Sequence, residues 1–231
     1  MPNSPSCIFI PMKTTPDLQK AGGISALVAA VTYLFAMALV FTVLSPMADT
    51  RLSFGQYIEF NTANKTLIFI WHFAMYLING VCLVILSLAL YERLKPEAPT
   101  IMKIATVFGL IWASFVFLSG FIVLYGTESV INLNSKNPVQ AETLKKTIET
   151  ITLGIDYSDR FLGCLWVGLV SIAAFKTRTF PKVLNIFGIV ISILGLIGTV
   201  IPQLSAISYA FGMGAIIWWF WLGVFMIQKK V

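Results

Sequence analysis

Two groups of polar side chains stand inside stretches otherwise apolar enough to enter lipid, and they hold most of the chemistry this chain offers. His72, Tyr76 and Asn79 are spaced four and three apart, which places them on one face of a helix. Ser87 extends that face. In the second group, Asp156 and Arg160 are four apart, a spacing that allows an intrahelical ion pair. Asp156 and Asp159 also share a face. Ionisable groups in hydrocarbon are costly, so they pair with one another or serve a function. An imidazole, a phenol, an amide, two carboxylates and a guanidinium can together line a polar pocket for a small molecule or a lipid headgroup. The structural alternative is that the acids and Arg160 are wetted at the headgroup level while His72 donates to a neighbouring carbonyl.

Other chemistries lack their parts. The chain has one histidine, which excludes a bis-histidine haem and a histidine-rich zinc site. It contains neither HExxH nor GxSxG. No lysine lies mid-span for a retinal Schiff base, and no span carries regularly spaced arginines. Asp156 and Asp159 have no nucleophile beside them, because Ser158 points to another face. No cofactor and no metal are expected. Cys82 and Cys164 lie inside apolar runs and Cys7 in the leading segment, an odd count that argues against a disulfide framework.

The elements that must carry these groups are membrane spans. Of 231 residues, 58% are hydrophobic and 11% charged, against about 25% charged in a soluble domain. The expected fold is all-α: a polytopic membrane protein with six transmembrane helices in one bundle. Residues 1–20 form an N-terminal arm, residues 21–228 the membrane domain and residues 229–231 a tail. The spans fall at 21–44, 66–91, 101–126, 151–175, 183–201 and 207–228. Span 1, at 1.5 Å per residue, covers about 36 Å, enough to cross roughly 30 Å of hydrocarbon. Thr15-Pro16-Asp17 reads as a helix opening, with proline in the first turn and an acid near the positive dipole end. Residues 45–65 and 127–149 read as long polar loops. At the tail of the second, Asn137-Pro138-Val139-Gln140 predicts a helix start running into span 4. Gly154 is a candidate interruption.

Six spans put both termini on one side. The segments on that side carry ten cations and three acids, and those on the other six cations and seven acids. The basic side is expected to be cytoplasmic, which places the two long loops outside. The net charge of +6 sits in short turns with no basic stripe, so no nucleic-acid partner is expected. His72 lies about 9 Å in from Thr66, and Arg160 about 22 Å from Phe175 at the inner edge. Both therefore fall at similar depth beneath the outer loops. Tyr76 and Asn79 would floor the pocket between them.

Small residues mark close helix contacts in lipid. Gly188, Ser192, Gly195 and Gly198 form such a seam on span 5. Trp218, Trp219 and Trp221 on span 6 read as an interfacial aromatic belt.

The DRFLGCLWVGL entry to span 4, the short basic turn after it and FPKVLNIFGIVISILGLIG resemble a bacterial family of six-span membrane proteins known only as a domain of unknown function. The ending LYERLKP of span 2 and the lysine-bearing arm before span 1 are similar to it too. The resemblance implies the six-span fold and carries no activity. The expected function is a non-enzymatic protein of the bacterial inner membrane. It would bind a small-molecule ligand or membrane lipid in an outward-facing polar pocket, as a sensor or accessory subunit. The alternatives are a small transporter or channel working as a homo-oligomer and, third, an intramembrane enzyme.

Overall fold

A computed structural model describes residues 16–48 and 51–228. Thr15, Cys7, most of the N-terminal arm and the 229–231 tail lie outside the described residues. Proline in the first turn and Asp17 against the positive helix end open α1 (Pro16–Phe41). A 3₁₀ turn (Ser45–Ala48) leads to α2 (Phe54–Ala63). α3 (Lys65–His72), a π-helical segment (Phe73–Ile78) and α4 (Asn79–Leu94) run on as one rod. α5 (Pro99–Asn134), α6 (Pro138–Thr177), α7 (Lys182–Val200) and α8 (Ser205–Gln228) follow. Among the described residues there is no strand, and six helices are long and apolar enough to cross a membrane. The protein is a multi-pass membrane protein.

The stretches read as polar loops are largely helical, and local capping explains why. The amide of Gln56 donates to Ser53 Oγ at 3.3 Å, and the amide of Ser53 donates back to Gln56 Oε1 at 3.0 Å. This reciprocal capping box satisfies two donors that a helix start otherwise leaves open, and it launches α2 out of residues 45–65. At 127–149, α5 continues to Asn134 and α6 begins at Pro138, with Asn137 Oδ1 accepting from the Gln140 amide at 3.1 Å. Gly154 does not interrupt α6. At 40 residues, α6 is about 60 Å long, twice the hydrocarbon thickness. It therefore projects beyond the bilayer together with α5. Lys145–Glu149 and Lys146–Glu142 pairs run along the projecting part. At its other end α6 closes on Arg178 in the left-handed region (φ 53°), whose amide bonds to the Ala174 carbonyl.

The spans form a closed circuit. α1 packs on α4, α4 on α5, α5 on α6, α6 on α7 and α7 on α8, and α8 returns to α1. The centre of the circuit is filled by aromatic rings. Tyr33 meets Trp219 with centroids 5.4 Å apart, Trp219 stacks on Trp112 at 5.9 Å, Trp112 meets Trp166 at 5.6 Å and Trp166 meets Trp218 at 5.9 Å. Trp218 and Trp219 are 1% and 3% exposed, which overturns the interfacial-belt reading for them. The glycines opposite explain it. A Cβ at Gly109 would collide with Trp166 and Ser87, and one at Gly188 with Trp218 and Ser171. Without those atoms the indoles reach the middle instead of turning to lipid. Trp221 alone of the three faces outward. Gly188, Ser192, Gly195 and Gly198 lie against α6 and α8: Ser192 meets Gly168, Gly195 meets Cys164 and Phe211, and Gly198 meets Ser208.

Candidate functional site

His72 is the last residue of α3 before the π segment. In an α-helix a residue four positions on is rotated about 40° past its partner. The wider π turn takes out much of that rotation, and the His72 and Tyr76 rings stack at 5.7 Å with planes 23° apart. Trp71 meets both rings edge-on and fixes the rod to α1 by donating Nε1–H to the Ala36 carbonyl at 3.0 Å. His72 is 2% exposed and its Nδ1 lies 2.7 Å from the Ile68 carbonyl oxygen. A carbonyl only accepts, so Nδ1 carries the proton and Nε2 is left as an acceptor. Nε2 is buried and has no hydrogen-bond partner among the described residues.

His72 lines a cavity of about 580 Å³, within the range of about 300–1,000 Å³ typical of ligand sites. α6 contributes Asp156, Thr152, Glu149 and Lys145 to its wall, and α2 contributes Tyr57 and Asn61. Asp156 is about five helical turns from the capped start of α6. Among the described residues it accepts one hydrogen bond, from Ser119 on α5 at 3.5 Å. Thr152 Oγ1 is buried with no partner. Tyr57 donates to Thr127 Oγ1 at 3.3 Å, and burial pushes its hydroxyl above the ordinary tyrosine value. Lys145 Nζ stands 4.8 Å above the Tyr57 ring while paired with Glu149.

The remaining predicted site residues go elsewhere. Arg160 does not pair with Asp156. It donates from Nη1 to Ser208 Oγ on α8 at 2.7 Å, with its guanidinium over the Tyr157 and Tyr209 rings. The guanidinium thus bridges to α8 while keeping Tyr157 of its own helix beneath it. Asn79 donates Nδ2–H to Thr32 Oγ1 on α1 at 2.6 Å. Tyr76 sits behind His72, against Gly120 of α5. Asp159 lies below the cavity with Oδ1 sealed and unbonded. Trp112 Nε1 is likewise buried with no hydrogen-bond partner among the described residues. Of the six predicted ligand residues, the cavity brings together His72 and Asp156.

Tyr57, Asn61, Lys145, Glu149 and Thr152 were not foreseen, because their segments read as loop or span edge. The available signal was the Ser53–Gln56 capping box, which announces α2. Among the described residues no cluster of three or more His, Cys, Asp or Glu side chains could hold a metal ion.

The model of a protein family described as "Domain of unknown function (DUF4386)" matches residues 21–229. The chain belongs to the DUF4386 family. The match begins inside α1 and runs past the end of α8, so this DUF4386 domain and the six-helix circuit cover the same stretch. No curated protein and no solved structure matches the chain. The resemblance carried by the span 4 to span 5 sequence and the family match agree on a domain of unknown function, and the six apolar helices fit a membrane protein.

Proposed function

We propose that this DUF4386 protein is a non-enzymatic binding protein that holds a small molecule or lipid in the cavity between α2, α3, α5 and α6. One observation carries the reading: His72, whose buried Nε2 has no partner among the described residues, lines the same cavity as Asp156. A buried acceptor left unbonded costs about 1–3 kcal/mol, and a ligand donor would recover that. The excess of cations on the terminal side supports an orientation with the cavity facing away from the cytoplasm. The protein would then be a sensor or accessory subunit of the bacterial inner membrane.

Native mass spectrometry of protein extracted in mild detergent tests this. A bound mass on the wild type that His72→Ala and Asp156→Ala both lose is the expected result. An identical bound mass in all three, or none in the wild type, sinks the reading.

A second reading, transport, is favoured by Asp159, a carboxylate sealed beneath the cavity and above the aromatic centre. Flux in liposomes that Asp159→Asn abolishes would establish it.

A further inference from the structure

The cavity shares a wall with a second hollow of about 340 Å³, and Asn61, His72 and Thr127 line both. The second hollow lies between α3 and α5 and is otherwise bounded by Ile68, Phe69, Leu124, Tyr125 and Ile131, with Lys65 and Glu128 at its rim. Phe69 is 49% and Tyr125 65% exposed. On spans of a membrane protein, that exposure faces lipid. Lys65 and Glu128 pair at 2.7 Å and remain well exposed. They mark the headgroup level, which the hollow straddles: Phe69 and Leu124 lie below it and Ile131 about one turn above.

The groups available to a ligand differ between the two spaces. In the larger cavity Lys145 is neutralised by Glu149. Asp156 lines that cavity and makes no ion pair among the described residues, whereas His72 Nε2 and Thr152 Oγ1, unbonded among the described residues, are buried in its wall. A carboxylate without an ion pair in the wall calls for a head that donates hydrogen bonds and carries positive charge. An anionic head would meet Asp156 and lose. The smaller hollow offers an apolar groove open to acyl chains.

We infer that the ligand is an amine-headed membrane amphiphile that enters sideways between α3 and α5. Its ammonium lodges with Asp156, and its tail lies along Phe69 and Leu124. The inference rests on the cavity being the binding site. His72, Asn61 and Thr127 form the gate between head and tail.

The test uses the full chain in phosphatidylcholine nanodiscs, with octadecylamine, octadecanoate and butylamine as probes, read by native mass spectrometry. Octadecylamine should bind at least tenfold tighter than octadecanoate, which reports the head, and at least tenfold tighter than butylamine, which reports the tail. Asp156→Asn keeps the side-chain shape and should erase the preference for amine over acid. Leu124→Trp and Ile131→Trp fill the groove. Whichever of them keeps the wild-type melting temperature should lose at least tenfold for octadecylamine and nothing for butylamine. Equal binding of amine and acid by the wild type overturns the head assignment. Undiminished octadecylamine binding in a folded groove variant overturns lateral entry. If no probe binds while a His72-dependent bound mass persists from the cell, the amphiphile falls and the cavity reading stands. If both are missing, both fall.

Discussion

Arg160 reaches from α6 to Ser208 on α8, and the carboxylate one turn away on its own helix, Asp156, is left to the cavity. A spacing of four on a helix permits an ion pair but does not compel one. A hydroxyl at 2.7 Å and two aromatic faces compete successfully for the guanidinium. Arg160 is thus a tie between helices and Asp156 a site group.

Arg160→Ala should lower the melting temperature in detergent, with a loss of about 1–3 kcal/mol for a hydrogen bond to a charged group and its aromatic contacts. Ligand retention should be unchanged. A variant that keeps its stability and loses the ligand would show that Arg160 belongs to the site after all.

Two glycines should respond in opposite directions. Gly109→Ala puts a methyl group into Trp166 and Ser87, an overpacking expected to cost about 1–3 kcal/mol. Gly154 has no atom within 4 Å of an added Cβ and lies inside α6. Gly154→Ala should therefore stabilise by about 0.5–1 kcal/mol. Thermal unfolding monitored by circular dichroism measures both.

Tryptophan quenching distinguishes the buried centre from an interfacial belt. Trp112, Trp166, Trp218 and Trp219 are 0–3% exposed and Trp221 is 37% exposed. Brominated lipids should quench mainly Trp221 within span 6, so Trp221→Phe should remove much of the quenchable signal. Trp219→Phe should leave it in place. Equal quenching losses in both variants would contradict the buried aromatic chain.

Topology reporters test the proposed orientation. An alkaline phosphatase fusion at residues 178–181 should be inactive, and one at the Ser135–Asn137 turn active. The reverse pattern would put the cavity on the cytoplasmic side.

The number of spans, their approximate limits and the start of α6 were legible in the sequence because each depends on neighbours along the chain. An apolar run either matches the bilayer or does not, and a cap bonds within three residues of itself. The capping box at Ser53 was equally local, and a stricter reading of it would have found α2.

What required the tertiary structure was partner choice. The π turn after His72 brings its ring and that of Tyr76 into a stack, and Asn79 bonds to Thr32. The tryptophans lie at the centre because glycines on other helices leave them room. Arg160 bonds to a serine on α8, 48 residues along the chain. Hydropathy and spacing say how far a side chain sits from an edge and which face it shares. They do not say which helix stands opposite, and in a closed circuit of six rods that neighbour decides whether a polar group is a tie, a core contact or a wall of the site.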